Sequence, residues 1–80
     1  MPHLPVVSST DIIRVLTTLG YSFVQQRGSH IKMAKKTERG NHIIIIPFRK
    51  EQQKRTLNSI FHDIADHNNM TKQEIINLFL

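Results

Sequence analysis

Ile43-Ile44-Ile45-Ile46 is the stretch that most limits how this chain can fold. Isoleucine is branched at Cβ, stiff about χ1 and favoured in strands. Successive side chains of a strand point to opposite faces, so four isoleucines in a row make both faces apolar. A chain of 80 residues builds one small core. One face of this strand meets that core. The other must meet a partner or leave apolar surface in water. The run therefore predicts a partner on the Ile43/Ile45 face, either a second copy of the chain or a different protein.

The segments around it supply the rest of a sheet. Tyr21–Arg27, His30–Lys36 and Asn41–Pro47 read as three strands. Thr37-Glu38-Arg39-Gly40 reads as a four-residue hairpin loop, with Gly40 where a positive φ is needed. That loop pairs Lys36 with Asn41 and Ile31 with Ile46. Ile31, Met33, Ile44 and Ile46 then share one face, and His30, Lys32, Ala34, Ile43 and Ile45 share the other. A slip of one residue would exchange the faces of the third strand.

Helices flank the strands. Ser8-Ser9-Thr10-Asp11 matches a capping box, and Ile12, Leu16 and Leu19 follow at helical spacing up to Gly20, a C-terminal stop. Leu57, Ile60, Phe61 and Ile64 form the stripe of a second helix, which Asp66-His67-Asn68-Asn69 ends. Thr71-Lys72-Gln73-Glu74 is a second capping box, with Met70 and Ile75 as its hydrophobic staple, and opens a short last helix. Residues 1–7, with Pro2 and Pro5, read as a tail, and residues 8–80 as a single domain. A three-stranded antiparallel meander covered on one face by helices is a two-layer α+β domain, α-β-β-β-α with a short C-terminal helix.

The chain has no cysteine, which excludes a disulfide framework and a cysteine zinc site. Neither a secretory signal nor a membrane-spanning run is expected, because the longest apolar stretch, Ile43 to Phe48, is too short. A cytoplasmic protein with no membrane contact is the expectation. The net charge of +5 is unevenly placed. Nine of the basic residues and only two acidic ones, Glu38 and Glu51, fall between Arg27 and Arg55, a local surplus of seven. A concentrated basic segment is the footprint of a nucleic-acid binder; the plainer reading is a solvated, soluble surface.

Gly28-Ser29-His30 sits within that segment. Glycine lets the chain turn sharply or approach a ligand closely. Histidine is the side chain best placed to exchange a proton near neutral pH. RNA carries its own nucleophile, the 2′-hydroxyl, so its cleavage needs a proton acceptor, stabilisation of the charged phosphorane and a proton for the departing 5′-oxygen. No metal is obligatory. His30 is the candidate acid or base. Lys32, on the same strand face, is a candidate to stabilise phosphate charge. Gly28 would admit the phosphate to the backbone. Ser29 either donates a hydrogen bond or serves the turn. Lys50, Lys54 and Arg55, at the start of the second helix, are candidates for RNA backbone contacts, because helix N-termini attract phosphate. His62 and His67 lie five residues apart on different helix faces, so no metal site is expected there. His42 reads as a strand residue of the hairpin, and His3 falls in the tail.

Leu19-Gly20-Tyr21 closing the first helix, Gly28-Ser29-His30, the strand closing in Ile46-Pro47, and Thr56-Leu57 with Ile60 resemble the HicA toxin family, also called YcfA-like. The likeness runs from about Ser8 to Phe79. It departs at Phe48-Arg49, where many members carry a histidine after the proline, and at Arg55, where many carry glycine. The resemblance implies a fold like the double-stranded-RNA-binding domain and the toxin of a type II toxin–antitoxin pair. It implies an endoribonuclease that cleaves mRNA without a cofactor, with His30 as its catalytic residue, neutralised by a HicB-type antitoxin. The alternative is a non-catalytic RNA-binding module of the same fold.

Overall fold

The computed structural model describes residues 5–80; residues 1–4, which include the start of the tail and His3, lie outside the described residues. The elements run α1 (Ser9–Thr18), β1 (Ser22–Arg27), β2 (His30–Thr37), β3 (Gly40–Pro47), α2 (Lys54–His67) and α3 (Lys72–Asn77). The strands form one antiparallel sheet in the order β1-β2-β3. This is the α+β arrangement expected from the patterning.

The register of β2 and β3 is the expected one. Lys36 pairs with Asn41, Ile31 with Ile46 and His30 with Pro47. Ile31, Met33, Ile44 and Ile46 are buried, whereas Ile43 and Ile45 are 46% and 49% exposed. The hairpin is tighter than the four-residue loop expected. Thr37 pairs with Gly40, leaving only Glu38 and Arg39 in the turn. Gly40 takes φ +100°, and Thr37 Oγ1 donates to its carbonyl at 2.7 Å. A side-chain hydrogen bond thus closes the strand ends one residue further along.

β1 differs more. It begins at Ser22, and its register with β2 shifts between Phe23 and Gln25, a bulge that leaves Val24 unpaired. All six of its residues are exposed, so no burial periodicity marks the irregularity.

α1 is built as its sequence dictates. Ser8 Oγ accepts from the Asp11 N–H at 3.1 Å, and the Asp11 carboxylate accepts from the Ser8 N–H at 3.0 Å. At the other end Gly20 sits at φ +98°; the Tyr21 N–H reaches the Leu16 carbonyl and the Gly20 N–H the Thr17 carbonyl. These are the two bonds of a Schellman stop. Thr71 and Glu74 form the second reciprocal capping box, at α3.

The Ser8 backbone N–H, as the main influence, holds the Asp11 carboxyl below its ordinary 3.8. A carboxylate lowered on folding contributes stability above its unfolded value, and that contribution is lost as pH falls through the lower folded value. Ser8→Ala is expected to cost about 1 kcal/mol in urea unfolding at pH 7. Asp11→Ala, which removes the carboxylate itself, should cost more at pH 7 than in acid, because that contribution is lost as pH falls below the ordinary 3.8, and a pH-independent deficit would contradict the reciprocal box.

α2 runs two residues beyond the expected stop. Its last turn is held by the Asn68 side chain, which donates to the Ile64 carbonyl at 2.8 Å, and by the Met70 N–H, which reaches Ala65. Asn69 takes φ +54° and turns the chain away. Asparagine tolerates that left-handed conformation, so the polar cluster caps the helix and does not interrupt it.

One core unites the layers: Ile12 and Leu16 of α1, the inner sheet residues, Leu57, Phe61 and Ile64 of α2, and Ile75 and Ile76 of α3. Val7 joins them, 1% exposed, and its carbonyl accepts the Gln52 N–H at 2.7 Å. The tail assigned to residues 1–7 therefore gives up Val7 to the core. Among the described residues no helix is long and apolar enough to cross a membrane.

Candidate functional site

His30 is the first residue of β2 and follows a two-residue turn, because Arg27 pairs with His30 across Gly28-Ser29. Gly28 has φ +60° and Ser29 does not share the positive value, the pattern of a type II′ hairpin turn. A Cβ on Gly28 would meet nothing within 4 Å, so it is the backbone conformation that favours glycine here. His30 itself is exposed and points to the same open face as Lys32, Ile43 and Ile45.

Beside His30 lies a cavity of about 490 Å³, lined by Ser29, His30, Phe48, Arg49, Gln53 and Thr56. The segment after β3 folds over the Gly28-Ser29 turn, with the Phe48 N–H donating to the Ser29 carbonyl at 2.7 Å. Gln52 is buried, and its amide donates to the Pro47 carbonyl at 2.8 Å. The N-terminus of α2 closes the far side. Its N-cap, Gln53, makes no side-chain capping bond, and no acidic residue stands in the first turn. The first N–H groups of a helix lack intrahelical partners. Gln53 and Thr56 of this helix start line a cavity that also bears one histidine and one arginine.

The candidate residues divide around this cavity. Ser29 and His30 line it, while Gly28 shapes the turn that presents them. Lys32 is two residues along β2, half-buried on the open sheet face and outside the lining. Lys54 and Arg55 are exposed in the first turn of α2, directly after the Gln53 lining residue. Lys50 borders a neighbouring cavity of about 390 Å³ at the start of α1, with Ser8, Ser9 and Thr10. In the sequence Arg49 and Gln52 stand out only as members of the basic segment between Arg27 and Arg55. The available signal was the register: Pro47 pairs with His30, so the residues just after it must lie near the Ser29 turn.

A second cluster escaped the sequence reading. Along β3 the alternation that buries Ile44 and Ile46 also buries His42, 5% exposed. Asp63 and His67, four apart on α2, reach it from above. The His42 and His67 rings stack at 3.6 Å and 5°. Tyr21 Oη contacts His42 Nδ1, Asn68 donates to Tyr21 Oη at 3.0 Å, and Lys35 donates to Asn68 at 2.6 Å. Burial, the main influence, raises the Tyr21 phenol above its ordinary 10.0, so it remains a donor at neutral pH. His42 Nε2 lies 3.1 Å from Asp63 Oδ2, within ion-pair range but off the direction a hydrogen bond requires. Candidate ligand atoms of His42, Asp63 and His67 lie within 4.8 Å of one another. A metal sits in the plane of each imidazole it binds. With the rings stacked, centroids 3.6 Å apart and planes 5° from parallel, the two planes do not meet near the cluster, so it ties β3 to α2 and does not form a chelating site as it stands. His62 stands outside it, exposed.

The order of elements and the Gly28-Ser29-His30 turn are matched by a family model. Residues 9–65 match the model described as the HicA toxin of bacterial toxin–antitoxin. The chain belongs to the HicA toxin family. The match covers α1, the whole sheet and nearly all of α2, and so every lining residue of the His30 cavity. No curated protein and no solved structure matches the chain. As a HicA-family chain it stands among the toxins of bacterial toxin–antitoxin pairs.

Proposed function

We propose that this HicA-family chain is a metal-independent endoribonuclease that cleaves mRNA in the cytoplasm and is neutralised by a HicB-type antitoxin. The observation that carries this reading is the position of His30. It is fixed at a strand end by paired backbone, open to solvent, and borders a cavity closed by an uncapped helix N-terminus. Imidazole is the side chain best suited to proton transfer near neutral pH. The α2 N-terminus seats a phosphate beside it.

The chemistry follows from that placement. His30 takes the proton of an RNA 2′-hydroxyl, whose oxygen attacks the adjacent phosphorus. The bond from phosphorus to the 5′-oxygen breaks, and that oxygen takes a proton from water. The products are a 2′,3′-cyclic phosphate and a free 5′-hydroxyl. Gly28 and Ser29 present the backbone to the substrate, and Lys32, Lys50, Lys54 and Arg55 hold flanking phosphates. The exposed Ile43 and Ile45, with Lys32 between them and His30, form the face offered to the antitoxin; a second copy of the chain is the alternative occupant, read from the mass of the protein alone in solution.

Incubation of purified protein with RNA, with and without chelator, tests the activity. Cleavage in both is expected, and loss on chelation would contradict the metal-free reading. RNA binding by His30→Ala should weaken with salt. Replacing both Lys54 and Arg55 by glutamine should reduce the slope of log affinity against log salt by ~1.4, about 0.7 per single-strand phosphate contact. An unchanged slope would remove these residues from the interface. Salt-dependent binding with no products from the wild type would instead favour the non-catalytic RNA-binding module.

A further inference from the structure

We infer that Arg49 is a second catalytic residue, its guanidinium holding the two non-bridging oxygens of the phosphate that the 2′-hydroxyl attacks. This rests on the ribonuclease reading above and names the group that works with His30.

Five hydrogen bonds fix the chain around Arg49. The Phe48 N–H donates to Ser29 at 2.7 Å; the Ser9 N–H and hydroxyl both donate to the Arg49 carbonyl, at 2.9 and 3.1 Å; Gln52 donates to Pro47 at 2.8 Å and to Val7 at 2.7 Å. Ser9 and Gln52 are 2% and 4% exposed, so these bonds are shielded from water. The backbone of Arg49 is anchored to buried groups while its side chain is exposed. Stability alone does not call for an arginine there. Among the described residues no carboxylate lies within 4.0 Å of its guanidinium. It is also the one permanently charged residue in the lining of the His30 cavity. Lys32 stands on the open sheet face, and Lys50 borders the neighbouring cavity, whose lining Arg49 shares, but not this one.

The chemistry needs a cation at that place. As the O2′–P bond forms and the P–O5′ bond breaks, charge builds on the two non-bridging oxygens. Arginine presents a planar fork that meets two such oxygens at once. Preorganised charge aimed at a developing oxyanion lowers the barrier without altering ground-state binding much. Arginine stays protonated throughout, so it moves no proton. His30 takes the 2′-hydroxyl proton, and water supplies the proton of the 5′-oxygen. Arg49 therefore adds no limb to the pH profile of cleavage, and Arg49→Gln should keep the shape of the wild-type profile at a lower rate.

The test compares wild type, Arg49→Gln, Arg49→Lys and His30→Ala on one short RNA, in single-turnover cleavage and in binding. Arg49→Gln is expected to lose ~10²- to 10³-fold in rate, with affinity changed by only a few-fold. Arg49→Lys should recover part of the rate, because it restores charge without the fork. A sulfur replacing one non-bridging oxygen at the cut should slow the wild type more than Arg49→Gln. The proposal is overturned if Arg49→Gln cleaves as wild type does, if its loss is matched by an equal loss of affinity, or if the shape of its pH profile differs from that of wild type. Cleavage that needs His30 but not Arg49 sinks only this inference. No cleavage by wild type sinks the ribonuclease reading as well.

Discussion

Expression of the chain in bacteria without an antitoxin should arrest growth, and His30→Ala should relieve the arrest. The side chain is exposed at the start of β2 and makes no hydrogen bond with another described side chain, so its removal leaves the core intact. Positioned general-base catalysis contributes ~10²- to 10⁴-fold in rate. Under the proposed function, a loss of that size is expected to let growth resume. The paired measurement is the thermal midpoint of both proteins. It should agree within about 4 °C, since exposed substitutions usually change stability by no more than ~0.5 kcal/mol. Arrest that persists in a folded His30→Ala protein would contradict the role given to His30.

Phe61→Ala should have the largest effect on stability. Phe61 is fully buried at the centre of α2, and its ring meets that of Phe79 at 5.1 Å between centroids. It joins the sheet, α2 and the chain end beyond α3 in one cluster. Truncating a buried phenylalanine costs ~3–5 kcal/mol, through lost transfer energy and the cavity left behind. A domain of 80 residues has about 4–12 kcal/mol in total, at ~0.05–0.15 per residue. The variant should therefore melt at least about 12 °C lower or be unfolded at 37 °C, as read by circular dichroism. A shift under about 4 °C would mean that the core is packed differently around α2.

The sheet was legible because its signals are local and repeated. Four isoleucines mark β3 as a strand with two apolar faces, and the hairpin turn ending at Gly40 sets the β2–β3 register that turns Ile44 and Ile46 inward. The bulge in β1 left no trace, since Ser22 to Arg27 are exposed on both faces and carry no burial pattern. The end of α2 was misread for a different reason. His67 and Asn68 are polar and look like a break, yet their partners are Asp63 and Ile64 one turn back and Tyr21 and Lys35 from the sheet. Only the assembled fold brings those groups together. Val7 likewise lacks any periodic neighbour, and its burial depends on Gln52, distant in sequence.

The site divides in the same way. A histidine following Gly28-Ser29 at a strand start was visible, because turn chemistry and alternation are local. Arg49 was only partly so: the register sets the residues after Pro47 beside the Ser29 turn, but the bond from Ser9, 40 residues earlier, that anchors its carbonyl appears only in the fold. The basic surplus indicated a polyanion but could not rank nine cations. The cavity does so by geometry, admitting Arg49 to its lining and leaving Lys32 and Lys50 outside.

The most direct measurement uses a short RNA with one cut site and the same RNA carrying a single 2′-deoxy sugar on the 5′ side of that cut. The wild-type protein should cleave the first in chelator, leaving a 2′,3′-cyclic phosphate and a 5′-hydroxyl, and should leave the second intact. Cleavage of the deoxy-substituted strand at the same position, or 5′-phosphate ends on the product, would contradict attack by the RNA's own hydroxyl under His30.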